Sequence, residues 1–409
     1  MSCIPDFVTK TAVAVGKVGE FMPQLSLLAE KKDLWSYLKE TAKPIVLYGM
    51  GDGADKILNV CEEKNIPIRG VCASDDFVRG QVFRGFTVKT YAAVKRDFPK
   101  PIILVSFASR LDSVMQKIYN LSDTDEVYAP DVPVFGTGLF DSSYFQENFD
   151  KFEAVYQLLA DETSRRAYYN VLAYKLSGSL SYLRDCETSP EEAFYTIIDP
   201  QPQSVYVDIG AYNGDTIEEY ISYAGRQTNV YAFEPDARNY RKLCENVAAL
   251  GLSEPHLYNI AAWNEKTDLT FYARSGRNSA GSTVHKKAKA VTVQADCADA
   301  LLPMGADYIN IDAEGSDLQA LQGLQNTLRT YHPTVCCAVY HRNEDMFALP
   351  LYLASQYDRF KLYLRHFPYI PAWDTNIYIV NDSAAGKDKM HDKRILGSWK
   401  DHQQTRSCR

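Results

Sequence analysis

The sequence predicts an α/β protein built from two doubly wound units, and three observations carry that reading. Two separate apolar runs, residues 44–48 and 205–209, each end in a glycine turn, at 49–54 and 210–214. After each turn, segments of helical spacing alternate with further apolar runs, as in a parallel sheet crossed over by helices. The second unit continues longest: seven runs of strand length fall at 205–210, 229–234, 255–261, 308–313, 334–341, 360–367 and 375–380.

Taken in order, residues 1–40 read as a polar helical segment with Leu25, Leu28, Leu34 and Leu38 as a partial apolar stripe. Residues 41–135 read as a small Rossmann-like α/β domain. Its strands fall at 44–48, 66–72 and 102–107, with one helix over 55–63 and another through Val114 and Ile118. Residues 136–195 change character: Leu158, Leu159, Tyr168, Tyr169, Leu172 and Leu176 recur at helical spacing and predict a helical connector whose Tyr-rich face packs. Residues 196–383 form the seven-stranded domain, with helices over 216–223, 238–250, 317–331 and 346–357. Two extra β segments, near 269–273 and 291–294, are inserted between its third and fourth core strands. Residues 384–409 form a polar, basic tail.

Composition narrows the function class. The chain has 409 residues, 46% hydrophobic and 23% charged, which suits a globular protein of two or three domains. A net charge of -8 gives no support for a nucleic-acid partner or an anionic membrane. No run of about 18 apolar residues predicts a membrane span, and no signal peptide is visible at the start. The nine cysteines are scattered, without a C-x-x-C pair. Adjacent Cys336 and Cys337 point to opposite faces of a strand and are poor partners for each other. These features predict a reduced, cytoplasmic protein. A homo-oligomer is left open.

The two glycine turns differ in chemistry. Gly49, Gly51 and Ala54 fit G-x-G-x-x-A, with Gly53 inside the turn and Asp75 after the second strand. That pattern fits a dinucleotide turn, in which amides at a helix N-terminus face a pyrophosphate, and it fits a packing scaffold equally well. The second turn carries fewer glycines and adds an acid on the strand, Asp208-x-Gly210-x-x-x-Gly214, leading into Asp215 and Thr216. This suits S-adenosylmethionine, which has no phosphate but has an amino-acid end and a sulfonium cation. Asp208 and the backbone of Gly210, Ala211, Tyr212, Asn213 and Gly214 are the expected holders of the methionine end. Glu234, followed by Pro235 at the tip of the second strand, is placed to accept both ribose hydroxyls. Ala261 and Ala262, closing the third strand, complete the expected cofactor wall.

Four segments carry a resemblance: residues 207–216, 233–235, 308–317, and 339–345 continuing to 363–366. Together they resemble the FkbM-type methyltransferases, a class I group dependent on S-adenosylmethionine. The domain at 41–135 and its connector resemble a two-domain subgroup. The resemblance implies methyl transfer to oxygen, often a hydroxyl of a sugar or polyketide. Asp208, Gly210, Gly214 and Glu234 carry over as cofactor residues, and Asp312 and Glu314 as the end of the fourth strand, next to the methyl group. Asn310 stands where the family usually has Lys.

Transfer to a hydroxyl needs alignment of donor and acceptor and removal of a proton. Ligands in such sheets sit beyond the carboxyl ends of the strands, where Asp312 and His341 should both lie. His341 is the expected general base, with orientation of substrate or capping of the strand as its other reading. Asp312 is expected to position the acceptor, assist the base or make structural hydrogen bonds. Asp312 and Glu314 would need a further ligand to hold a metal, and no His/Cys/Asp cluster with metal spacing supports one, so no metal is expected. His366 and Ser282, the latter in a polar loop at 276–283, are weaker substrate candidates. The expected acceptor is a small hydroxyl compound, with a nucleotide-linked sugar as one form. The competing function is a nucleotide-sugar or dinucleotide-binding protein acting through Gly49, Gly51 and Gly53, its second domain inactive.

Overall fold

The computed structural model describes residues 24–273 and 289–382. The tail at 384–409 and the loop holding Ser282 lie outside the described residues, as do residues 1–23.

The first unit is a parallel sheet. Its strands are β1 (Ile45–Tyr48), β2 (Ile68–Ala73), β5 (Lys89–Thr90), β6 (Ile102–Val105) and β7 (Glu126–Tyr128), ordered β5-β2-β1-β6-β7. A hairpin of β3 (Val82–Phe83) and β4 (Phe86–Thr87) lies outside it. The four residues of β1 and the four of β6 are all buried, as expected of central parallel strands covered on both faces. Helices Asp52–Lys64 and Asp112–Thr124 supply the crossovers.

The second unit contains β8 (Val205–Ile209), β9 (Asn229–Phe233), β10 (His256–Tyr258), β14 (Tyr308–Ile311), β15 (Thr334–Ala338), β16 (Phe360–His366) and β17 (Thr375–Asn381). They form one sheet in the order β10-β9-β8-β14-β15-β17-β16, with β17 antiparallel to both its neighbours. All seven predicted strands are therefore present, and the two extra segments belong to a separate sheet of β11 (Ala261–Ala262), β12 (Thr267–Ala273) and β13 (Lys289–Asp296). The strand order reverses between β8 and β14, and a crevice opens beyond their carboxyl ends at such a point.

One predicted helix is two. The segment 317–331 splits into Asp317–Gln322 and Gln325–Tyr331. A Cβ at Gly323 would lie 1.9 Å from the Trp263 carbonyl oxygen, so only glycine fits the break. Asp299, from another segment, accepts the amides of Asn326 (2.7 Å) and Thr327 (2.9 Å), capping the second helix in place of a residue of its own chain segment. No local periodicity announces a cap that distant.

The connector does more than link. Helix Glu162–Ser177 is buried on nearly every side, because it lies between the two units. A single apolar cluster runs from Val46 and Ile103 through Phe152 and Leu172 to Ile309 and Leu364. Arg365 on β16 pins the connector. Its guanidinium bonds Asp161 Oδ2 at 2.9 Å and Glu192 Oε2 at 2.8 Å, with its own side chain 3% exposed and those of the acids about a third exposed. Removing one partner of a buried pair strands the others. Arg365→Met is expected to lower stability by about 3 kcal/mol, read as a shift of the urea midpoint; an unchanged midpoint refutes the pinning.

The seven cysteines among the described residues are all free. Cys336 packs with Tyr206 and Tyr308 on one face of the sheet, while Cys337 joins the main cluster on the other. No helix among the described residues is long and apolar enough to cross a membrane.

Candidate active site

A cavity of ≈ 2140 Å³ opens at the carboxyl ends of β8, β9 and β14. Its floor is the second glycine turn. Gly210 has φ 83° and Gly214 has φ 85°, both in the left-handed region that favours glycine. A Cβ at Gly210 would lie 2.0 Å from the Asp312 carbonyl oxygen, so this glycine lets β8 and β14 close together at the crevice.

The turn holds itself together with its own amides. Gly210 and Ala211 donate to Phe233 O at 3.0 and 3.1 Å, Tyr212 donates to Glu234 Oε2 at 2.9 Å, and Gly214 donates to Ala211 O at 2.7 Å. Four of the five amides expected to receive a methionine carboxylate are thus already bonded. Gly210, Tyr212, Asp215 and Thr216 line the cavity, whereas Ala211 and Gly214 are buried behind them. Asn213 sits to one side, its carbonyl accepting from Asn246 Nδ2 at 2.8 Å.

Asp208 departs from expectation. It is completely buried, one layer behind the wall, and accepts from Thr216 Oγ1 at 2.5 Å and Asn310 Nδ2 at 3.0 Å. Burial pushes its carboxyl up to about 6, although both hydrogen bonds oppose the shift. Asp208 therefore positions Thr216 and Asn310, which do line the cavity, instead of touching a ligand itself. Asn310, a neutral amide, is thus one of the two side chains that bond the buried acid.

Glu234 is 5% exposed yet forms part of the wall. Oε1 accepts the Asp236 amide at 2.7 Å, and Oε2 takes that of Tyr212. Each oxygen keeps a lone pair free, which is what two neighbouring ribose hydroxyls require. Burial raises this carboxyl to about 7, against the two backbone bonds. Pro235, Ala261 and Ala262 line the cavity next to it.

The far wall is acidic. Asp312 and Glu314 follow β14, and the turn is tight enough to hold Glu314 itself at φ 51°. A non-glycine residue in that region is a point of stored strain, a common mark of functional turns. Asp317 clamps the turn by accepting from the amides of Ala313 (2.8 Å) and Gly315 (3.0 Å). His341, after β15, is 1% exposed and lies between these acids: Nδ1 is 3.1 Å from Asp317 Oδ2 and Nε2 is 3.0 Å from Asp312 Oδ1. Burial alone would lower the imidazole pKa, but the Asp317 and Asp312 charges outweigh it and hold it well above its usual value. Asp312, for its part, is kept ionised: burial would raise it, and His341 and the Tyr340 hydroxyl bring it below the usual range. Glu314 is pushed up to about 7 by burial and the Asp312 charge.

Two expectations are corrected here. His341 is shut away from the cavity with both ring nitrogens facing carboxylates, which suits its other reading: it organises Asp312 and Asp317 and does not meet a substrate hydroxyl. His366 is fully buried, with Nδ1 3.0 Å from Thr375 Oγ1, and burial lowers its pKa to about 3. It is a packed strand residue and touches no substrate.

Several participants escaped the sequence reading: Asp317 as clamp, Asp345 (buried, raised to about 7 by burial and the Asp317 charge), and Phe135, whose ring is tilted against that of His341 with centroids 5.9 Å apart. The density of acids at 312–317 and 344–345 was the available signal for the first two; nothing local points to Phe135. The first unit also reaches the cavity. Ser109 and Ile370 exchange backbone hydrogen bonds at 2.8 and 3.0 Å, and neighbouring Arg110 lines the mouth.

The first glycine turn packs closely against the end of a neighbouring strand. A Cβ at Gly49 would lie 2.7 Å from Ser106 Oγ, and one at Gly53 2.5 Å from Ser106 O, whereas Gly51 meets nothing within 4 Å. Two of the three glycines are thus needed to seat the helix on the sheet.

Residues 208–371 match the family model of the methyltransferase FkbM domain. The second unit is an FkbM methyltransferase domain. The chain is similar in fold to the crystal structure of methyltransferase FkbM from Methylobacillus flagellatus KT, with TM-score 0.66 and 19% identity over 87% of this chain and 96% of that one. Because that overlap exceeds the FkbM domain, the first unit and connector share in it. A putative rRNA methylase from Clostridium thermocellum (TM-score 0.33, 13% identity, 47% of this chain and 96% of that one) is also similar. So is a putative methyltransferase from Streptococcus mutans solved in complex with SAH (TM-score 0.32, 12% identity, 47% and 97%). No curated protein matches the chain.

Proposed function

We propose that this protein is an S-adenosylmethionine-dependent O-methyltransferase acting on a hydroxyl of a small sugar-like or natural-product-like acceptor. The observation that carries this reading is the pair Asp312 and Glu314 on the cavity wall at the end of β14, across the crevice from Glu234. S-adenosylmethionine supplies an electrophilic methyl on a sulfonium, and in-line attack by a hydroxyl oxygen yields an ether and S-adenosylhomocysteine. Glu234 takes the ribose hydroxyls, and Ala261 and Ala262 leave room beside it. Asp312 is ionised and accepts a hydrogen bond from the acceptor hydroxyl, whose proton passes to the Asp312–Glu314 pair as the new C–O bond forms. Tyr340 donates to Asp312 Oδ2 at 3.1 Å and fixes its rotamer. Phe367, Tyr369 and Trp373 line the acceptor end, and exposed Arg110 from the first unit would meet a phosphate there, which favours a nucleotide-linked sugar among hydroxyl acceptors.

Calorimetry tests the cofactor half. S-adenosylhomocysteine is expected to bind, whereas NAD and a UDP-sugar alone give no heat at the same site. Glu234 accepts best when ionised, so with a carboxyl pKa of about 7 affinity should fall as the pH drops through neutrality. Glu234→Gln should weaken binding roughly 10- to 100-fold and flatten that dependence. Heat from NAD but from neither adenosyl ligand would sink the proposal.

A further inference from the structure

The acidic wall contains two buried polar atoms with no hydrogen-bond partner, and they face each other. Asp312 Oδ1 and His341 Nε2 are 3.0 Å apart, yet neither atom has a hydrogen-bond partner. Their sister atoms are all engaged. Asp312 Oδ2 accepts from Tyr340, and His341 Nδ1 lies against Asp317. Glu314 Oε2 is 3.9 Å from the same Nε2. Four carboxyl groups, Asp312, Glu314, Asp317 and Asp345, thus crowd one imidazole, and among the described residues no lysine or arginine side chain pairs with any of them.

We infer that this cluster is a divalent-cation site of the Mn²⁺/Mg²⁺ class, with His341 Nε2, Asp312 Oδ1 and Glu314 Oε2 as ligands. Two ligand atoms about 2.1 Å from an octahedral ion and at right angles to each other are about 3 Å apart, the separation seen between Nε2 and Oδ1. Glu314 falls between the adjacent and opposite positions, and its side chain, 37% exposed, is free to swing. Asp317 takes the part of the carboxylate that fixes a ligating histidine: it accepts Nδ1–H and turns the Nε2 lone pair inward. His341 ligates from the protein side, whereas Asp312 and Glu314 stand on the cavity wall, so the remaining coordination positions open toward the acceptor. There a cation would hold the acceptor oxygen and lower its pKa, the proton passing to the outer oxygen of Glu314. That role rests on the proposed methyl transfer; binding of the cation does not.

The test is Mn²⁺ binding to the full chain without cofactor, followed by loss of the free-ion paramagnetic resonance signal, with spin-echo modulation to detect a bound imidazole nitrogen. One saturable site with a nitrogen modulation is expected, displaced by Mg²⁺. His341→Gln should abolish the modulation, and Asp312→Asn should weaken binding at least 10-fold. Asp317→Asn should weaken it 10- to 100-fold. Circular dichroism and S-adenosylhomocysteine calorimetry on the same samples show whether each variant is folded. No saturable binding at millimolar Mn²⁺, or binding unchanged in folded Asp312→Asn protein, overturns the site. A chain that binds S-adenosylhomocysteine but no Mn²⁺ loses only the cation site; one that binds Mn²⁺ but no adenosyl ligand loses only the cofactor reading.

Discussion

Asp312→Asn is expected to lower methyl transfer by roughly 100- to 10,000-fold while leaving S-adenosylhomocysteine affinity within a few-fold. The reason lies in the division of the cavity. Asp312 stands on the wall proposed to meet the acceptor, bonded to Tyr340 and facing His341, whereas Glu234, the carboxylate proposed to take the ribose, sits beyond β9. An asparagine keeps the shape and loses the charge. It can no longer take the proton, and it withdraws one of the two charges that raise the His341 pKa. The measurement is turnover of labelled S-adenosylmethionine with a panel of hydroxyl acceptors, paired with calorimetry on the same protein. Equal losses of turnover and cofactor affinity would place Asp312 in the cofactor site; full turnover would remove it from the reaction.

Gly210→Ala should abolish cofactor binding and destabilise the domain by roughly 4 kcal/mol or more. Two costs combine. The residue has φ 83°, which an L side chain adopts at a cost of about 1–2 kcal/mol, and the new methyl would meet a backbone oxygen at 2.0 Å. Backbone cannot step aside as a flexible side chain does, so β8 and β14 must part at the crevice. Gly214→Ala is the informative control. Its φ is similar, but its nearest contact would be Leu243 Cδ1 at 3.0 Å, the movable end of a side chain, so it should cost only about 1–2 kcal/mol. Thermal unfolding of the two variants decides the matter, and equal melting temperatures would refute the close-approach argument.

Much of the architecture was legible because it rests on patterns that repeat along the chain. Buried strands such as Asn229–Phe233 and Tyr308–Ile311 read as apolar runs, and the acids that close them, Glu234 and Asp312, stand out where the runs stop. The site was legible as a set of strand ends for the same reason. What escaped was direction and partnership. Asp208, Glu234 and Asp312 look alike as acids at strand ends, yet one is sealed behind Thr216 and Asn310, one carries two backbone amides, and one faces a histidine. Periodicity reports which face of an element is buried, and it is silent on which polar atom of another element lies opposite.

The sequence by itself determined the two α/β units, the seven strands of the FkbM domain, the glycine turn at Asp208–Gly214 and the cluster of acids after β14, because each is encoded within a few neighbouring residues. Only the tertiary structure decided the charge states. His341 is an ordinary strand-end histidine until Asp317 and Asp312 are brought within about 3 Å of its two nitrogens, and a pKa responds to spatial neighbours and lost water rather than to chain neighbours. The same holds for the glycine turn. Its pattern suggests a cradle of free amides, and the fold shows those amides already committed to Phe233 and Glu234.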